Sequence, residues 1–429
     1  MSGLTRKLAL GWSEGPRAAL ARFLDRAADT RRAASHPEVS QATLGDRHGG
    51  RVPVLNLLGV PLRRSSGGVE LQFMARLAHQ EQVRPVACLA PSPGGWRLEV
   101  AAGRERSAIV ISARVGESRA AHLARALETA WSLLGPKGLH IENPAGLDLG
   151  VLAEAAARMP SLLSAHDLSL FCPRPHLLPV TADGDCHWTA RTGCALCDPG
   201  ANDLPRLLAS LRGTVFPSPF LRDAFSRRLD SLARPPASIV TPAVELPPRR
   251  AWRGSASIRH VAFVGSVRPH KGAELLLAIA PRLSAMGLRL SAYGGGDGKL
   301  IAALRAAAVR ATGYYRAGSL SRRLAADAVD LVLLLSLWPE SHSLAFDECV
   351  AAGVPVLAFD RGALGERLRS GGGVVVDPAG GGEGVLAAIG GLSAGELTPA
   401  PSAEQLPTPW SAADAIAEVY RRLGWLDPC

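Results

Sequence analysis

From residue 52 onward, short apolar runs alternate with amphipathic stretches, the pattern of β-α units wound around a parallel sheet. The runs Val52 to Val60, Val83 to Leu89, Ser107 to Ser112, Gly138 to Glu142, Ser161 to His166, Thr214 to Pro217 and Ser238 to Thr241 predict strands. Residues 68 to 80, 117 to 134, 148 to 158, 202 to 211 and 219 to 233 predict the helices between them. The stretch Glu245 to Ser257 has adjacent prolines and arginines and no periodicity, so it reads as a linker. Beyond it the alternation restarts, with strands expected near His260 to Val264, Leu288 to Tyr293, Gly313 to Arg316, Asp330 to Leu335, Pro355 to Phe359 and Gly373 to Val376. The pattern predicts an α/β chain of two doubly wound, Rossmann-like domains, with a ligand cleft between the carboxyl ends of facing sheets.

The expected boundaries are a basic extension over residues 1–50, a first domain over 51–246, a second over 247–400 and a terminal segment over 401–429. In that segment Ile416, Val419, Tyr420 and Leu423 have helical spacing, and such a helix can cross back onto the first domain. In the extension Leu4, Leu8, Phe23 and Leu24 lie among seven basic residues. Two readings stay open: a basic amphipathic helix on anionic lipid, giving peripheral membrane contact, or a solvated extension. The sparse apolar face favours the second.

Composition narrows the function. At 429 residues with 47% hydrophobic positions, the chain is globular and too long for one ordinary core. No apolar run reaches membrane-spanning length and the start carries charges where a signal core would be apolar, which leads one to expect a cytoplasmic protein. The net charge of +10 suggests an anionic partner, yet the arginines are dispersed and aromatics few, so nucleic acid is not expected. Only four of the 48 Lys and Arg residues are lysines, so the lysine at 271 stands against a strong local preference for arginine.

The densest chemistry lies in residues 338–353, WPESHSLAFDECVAAG. A strand ending near Leu335 runs into Pro339, after which Ser341 or Ser343 can cap a helix that closes before Gly353. The amides of His342, Ser343 and Leu344 would then offer a phosphate free N–H donors and the helix dipole. Glu340 and Glu348 flank that anion site, where carboxylates are tolerated if they accept hydrogen bonds from sugar hydroxyls. YGGGDG (Tyr293 to Gly298) lacks dinucleotide-fingerprint spacing and reads as a cleft-facing turn near a nucleotide.

These residues resemble the paired-glutamate motif of the retaining glycosyltransferases of family four, which have the GT-B fold. FVGSVRPHKG (Phe263 to Gly272) resembles that family's phosphate-binding turn, SGGVE (Ser66 to Glu70) its Gly-Gly turn, and SAHD (Ser164 to Asp167) its histidine turn. The resemblance runs from about residue 52 through most of the chain. It implies transfer of a sugar from a nucleotide-sugar donor to a hydroxyl acceptor, a glycan or glycolipid, with retention of configuration and no cofactor for catalysis. It implies Lys271 on the donor diphosphate, Glu348 on the ribose, Glu340 on the donor sugar, and the His342 to Leu344 amides on the distal phosphate. Gly67, Gly68 and His166 would close from the other domain, with Glu340, His166 and Lys271 catalytic and Gly265, Ser266 and Arg268 in the donor turn. Ser266 stands where many members have arginine, and Arg268 is the nearest substitute. A catalytically silent binding subunit and an epimerase or phosphorylase of the same fold remain alternatives.

Of seven cysteines, Cys88 and Cys349 fall in apolar elements and read as core fillers. Cys194 and Cys197 have the spacing that presents two thiolates to one zinc ion, and Cys172 and Cys186 can complete a tetrahedral set. Structural zinc and free thiols both stay open for this 172–197 insertion, which resembles a cysteine-bearing insertion in a subset of the family.

Overall fold

The computed structural model describes residues 15–62, 68–144, 146–170, 203–228, 235–247, 257–371, 373–392 and 406–428. The cysteines at 172, 186, 194 and 197, Gly67 and residues 248–256 of the expected linker lie outside them. Contacts divide the chain into two compact units: residues 28–243 with 407 onward, and 244–406 with the residues before 28. Among the described residues no helix is long and apolar enough to cross a membrane.

The first sheet has eight strands: β1 (Val54–Leu58), β2 (Val86–Ser92), β3 (Gly95–Ala102), β4 (Glu105–Ile111), β5 (Gly138–Asn143), β6 (Ser161–Ser164), β7 (Gly213–Phe216) and β8 (Ala237–Ile239). They lie in the order β4-β3-β2-β1-β5-β6-β7-β8. All pairs are parallel except β2 with β3 and β3 with β4. The strand pattern missed β3, although in the sequence Trp96, Leu98 and Val100 alternate with Arg97 and Glu99 at the period of a strand; in the fold Glu99 is buried too and pairs with Arg97. Gly95, at φ +139, makes the turn: a Cβ there would sit 2.4 Å from the Ile111 carbonyl oxygen.

The second sheet has six parallel strands: β9 (His260–Val264), β10 (Arg289–Tyr293), β11 (Arg310–Ala311), β12 (Leu331–Leu334), β13 (Val356–Phe359) and β14 (Val374–Val376). Their order, β11-β10-β9-β12-β13-β14, reverses direction between β9 and β12. That reversal is a topological switch point, where helices leave on opposite faces and open a crevice at the strands' carboxyl ends. Apolar cores cover both faces, one around Phe263 and Leu333, the other around Tyr293 and Phe346. The strand expected over Gly313 to Arg316 does not form. Gly313 adopts φ +72 and bridges Gly294 antiparallel, and the chain turns out of the sheet there.

One expectation about the chain's ends needs correcting and the other holds. Residues 16–48 are not a solvated extension: helices span Pro16–Ala34 and Gln41–His48, and Ala18, Ala21, Asp25, Leu44 and His48 are buried. Enough small and apolar side chains lie on one face to pack, although that face is too narrow to stand out by hydrophobic periodicity. The terminal helix, Pro409–Arg422, belongs with the first sheet. Ile416, Val419, Tyr420 and Trp425 share a core with Val54, Leu162 and Val215. A Cβ on Gly138 would fall 2.2 Å from the Trp425 indole, so β5 starts on a glycine because the ring lies flat against it. Trp425→Ala should destabilise this unit by about 3–5 kcal/mol, measured as the shift of its denaturant-unfolding transition.

Candidate functional site

The switch point between β9 and β12 holds most of the residues singled out by sequence. After β9 the chain turns at Gly265 (φ +137), whose N–H donates to the Tyr293 carbonyl at 3.0 Å, while the Val267 N–H donates to Gly295 at 3.0 Å. A Cβ on Gly294 would lie 1.8 Å from the Gly265 oxygen, and one on Gly296 2.3 Å from the Val267 oxygen. YGGGDG is therefore a backbone buttress beneath the Gly265 turn. Ser266 is half-buried on that turn and Arg268 exposed.

A short 3-10 turn, Pro269–Lys271, ends at Gly272 (φ +81), where a Cβ would meet the Leu335 oxygen at 2.1 Å. The Leu337 N–H donates to the His270 carbonyl at 2.9 Å, so the loops after β9 and β12 are joined. The result is an ion pair: Lys271 Nζ lies 2.8 Å from Glu340 Oε1, and its ammonium sits 5.1 Å from the Trp338 ring centroid. Glu340 is buried and also accepts from the Ser336 and Ser343 hydroxyls. Burial alone would raise its carboxyl, but Lys271 and the two hydroxyls outweigh that and hold it below the usual range. Gly362 (φ +65) packs against the Glu340 main chain, since a Cβ would lie 2.7 Å from both its N and O. Arg361 donates to the Leu337 carbonyl. Sequence reasoning missed Ser336 and Gly362, which carry no spacing signal.

The helix Leu344–Ala352 follows, with Ser343 at its N-cap and Gly353 closing it. Ser343 adopts φ +77 and makes no side-chain cap bond, which corrects the expectation of a serine cap. Its hydroxyl serves Glu340 instead; in the first turn the Phe346 N–H donates back to the Ser343 carbonyl at 3.1 Å, while the amides before it lack intrahelical acceptors by helix geometry. The His342 imidazole is buried at 2.8 Å from Asp347 Oδ2, and Arg367 donates to the His342 carbonyl at 3.1 Å and to Asp347. His342 is thus engaged through its ring and its carbonyl in holding Asp347 and Arg367. Asp347 and Arg367, twenty residues apart, gave no sign in the sequence.

Glu348 is buried and accepts the Gly318 N–H at 2.6 Å, with further bonds from the Tyr315 hydroxyl and the Leu320 N–H. Burial pushes its carboxyl up to about 7 despite those donors.

In the other unit, Gly68 opens the helix Gly68–Val83, whose Glu70 is buried against Asn143. A pocket at the carboxyl ends of the strands is lined by Gln72, Arg76, Glu142, His166, Phe216 and Val240 among others. Arg76 pairs with Glu142, both buried. His166 Nε2 lies 2.6 Å from the Glu142 carbonyl, which can only accept, so Nε2 carries the proton and Nδ1 accepts from the Gln72 amide at 3.1 Å. Burial lowers its pKa more than Glu142 and Asp167 raise it, so the ring is neutral with both nitrogens engaged. Cys88 and Cys349 are buried free thiols, raised by burial. Among the described residues no cluster of three or more His, Cys, Asp or Glu side chains is placed to hold a metal ion.

Residues 258–393 match the family model described as glycosyl transferases group 1. No curated protein matches the chain in sequence. Among solved structures it is similar to a sucrose-phosphate synthase from Thermosynechococcus elongatus, with TM-score 0.61 and 16% identity over 86% of this chain and 99% of that one. HepE from Anabaena in complex with UDP-glucose gives TM-score 0.58 and 16% identity over 86% and 99%. The pneumococcal O-GlcNAc transferase GtfA in complex with UDP and GlcNAc gives 0.57 and 10% over 87% and 99%. At these identities the likeness establishes the fold.

The Glu348 carboxyl yields a prediction whose sign is fixed. Its ordinary value is 4.5 and its folded value about 7. A carboxyl raised on folding contributes stability that is complete below the unfolded value and lost as pH climbs through the folded one. Glu348→Gln should therefore flatten the decline in stability between about pH 4.5 and 7, read as the urea midpoint at a series of pH values. The GT-B fold and the family match agree: the chain is an enzyme whose residues 258–393 match the family model of glycosyl transferases group 1.

Proposed function

We propose that the enzyme transfers a sugar from a nucleoside diphosphate donor to a hydroxyl of a glycan or glycolipid, with retention of configuration. The Lys271–Glu340 pair at the switch point carries this reading. A lysine is a compact charge suited to a diphosphate leaving group, and here a buried carboxylate fixes its position. The Gly265 turn and the amides of His342, Ser343 and Leu344 cradle the phosphates, and Glu340 accepts hydrogen bonds from the donor sugar. Glu348 accepts the ribose hydroxyls. As the anomeric carbon–oxygen bond to the diphosphate breaks, the acceptor oxygen bonds to that carbon on the same face and its proton passes to the leaving diphosphate. No protein base is required. His166, neutral and doubly hydrogen-bonded, moves no proton in this reading.

HepE and GtfA were solved with UDP and sugars, which supports uridine diphosphate sugars as the first donors to test. Zinc held by Cys172, Cys186, Cys194 and Cys197 stays a proposal, decided by metal analysis of protein purified without added zinc. Uridine diphosphate should raise the melting temperature of the wild type. Lys271→Ala should lower turnover by about 100-fold or more and abolish that shift; an unchanged turnover would sink the assignment.

A glycolipid acceptor is favoured by the outer face of the helix Pro16–Ala34. Leu20, Phe23 and Leu24 are 58%, 65% and 39% exposed there, beside exposed Arg17 and Arg31. Apolar side chains ringed by arginines fit an anionic lipid surface. The protein should sediment with phosphatidylglycerol vesicles and not with phosphatidylcholine ones, and Leu20→Ser with Phe23→Ser should release it.

A further inference from the structure

The inner face of the same helix ends on a buried carboxylate. Asp25 is 5% exposed and accepts from the Tyr314 hydroxyl at 2.6 Å and from Arg316 Nε at 2.7 Å. The Arg22 guanidinium lies 4.5 Å from the Tyr314 ring centroid, so one turn of helix grips that tyrosine on two sides. The gripped loop, residues 313–319, is the one that replaced an expected strand. It has no sheet partner beyond the single Gly294 bridge at Gly313 among the described residues, so its shape depends on what packs against it.

Its other contacts lead to Glu348. Tyr315, next to the gripped Tyr314, gives its hydroxyl to the Glu348 carboxylate, and the Gly318 N–H donates to it at 2.6 Å. Arg316, paired with Asp25, is tied into the same turn: its carbonyl accepts the Ser319 hydroxyl at 2.6 Å and the Ser319 N–H at 3.0 Å. Gly318 (φ +75) has no room for a side chain, because a Cβ would lie 2.7 Å from the Glu245 oxygen. Asp25 on one side of the loop and Glu348 on the other are thus joined by consecutive residues of one tight turn, in which a shift of Tyr314 or Arg316 carries Tyr315 and Gly318 with it.

We infer that Asp25 is a positioning residue for the donor site: through Tyr314 and Arg316 it holds the 313–319 loop that presents the Glu348 carboxylate to the nucleotide ribose. This makes the N-terminal helix a working part of the nucleotide site, and it rests on the donor-binding role proposed for Glu348. A plain structural ion pair would anchor the helix without any effect that depends on Glu348.

The test measures nucleoside diphosphate affinity by calorimetry, using the uridine, guanosine, adenosine and thymidine compounds, in full-length wild type, Asp25→Asn, Glu348→Gln and the double variant. Amide hydrogen exchange over residues 313–320 is followed in parallel. Asp25→Asn should weaken binding of the preferred nucleotide about tenfold and speed exchange in the loop. In the Glu348→Gln background the same change should alter affinity less than about twofold, because the group it positions is gone. If Asp25→Asn does not fold, Tyr314→Phe, which keeps the ring beneath Arg22, should give about a threefold loss and the same dependence on Glu348. Unchanged affinity in the variants, or equal losses with and without Glu348, would overturn the positioning role alone. Wild type that binds none of the four nucleotides would overturn the functional reading itself, and the positioning role with it.

Discussion

The ion pair between Lys271 and the buried Glu340 is the constraint on which the second unit's carboxyl edge depends. Taking a carboxylate out of water costs several kcal/mol unless its lone pairs are filled. Here Lys271, Ser336 and Ser343 fill them. Bringing those groups together forces the turn after β9 onto the loop after β12, so close that side chains cannot intervene. Gly272 against Leu335 and Gly362 against Glu340 are glycines for that reason, and Gly294 and Gly296 lie under the Gly265 turn for the same one. A methyl group at any of the four would collide with the main chain of a facing loop.

Three carboxylates fall within nine residues at this edge, yet their surroundings set them apart. Glu340 is held charged by a lysine, and Asp347 is held charged by His342 and Arg367 against the pull of burial. Glu348 meets only neutral donors, and burial, helped by the Asp347 charge, pushes its carboxyl up to about 7. Two fixed negative charges are thus each matched by a nearby cation, which leaves the site able to take an anionic ligand without net repulsion. The third can accept hydrogen bonds from hydroxyls at a small electrostatic cost. The Asp347 pair also explains the left-handed Ser343: His342 is pulled inward to Asp347, and the chain has to reverse before the helix can begin.

The first unit follows a related rule in its interior. His140, fully buried, sits between the Tyr420 and Ser164 hydroxyls at 2.6 and 2.8 Å. It lies 3.0 Å from Glu142, which Arg76 neutralises. A polar network of this kind is tolerated only when it is nearly complete, and Tyr420 from the terminal helix is one of its members. Docking that helix is therefore a condition for burying the network as well as a gain in apolar area. The network in turn fixes the Glu142 carbonyl that orients His166.

The sequence by itself determined the two wound sheets, because strand burial and helix amphipathicity repeat with local periods that a short window contains. It also marked Lys271, Glu340 and Glu348, whose residue types are rare enough or regularly enough spaced to stand out. It did not reveal β3, the two-residue β11 or the packing of the N-terminal helix, whose stabilising contacts come from distant chain and not from their own pattern. Ser336, Gly362, Asp347 with Arg367, and Asp25 with Tyr314 and Arg316 were decided only by tertiary structure. A buried charge finds its partner through the fold, and a separation of 289 positions between Asp25 and Tyr314 leaves no local signature of the bond that joins them.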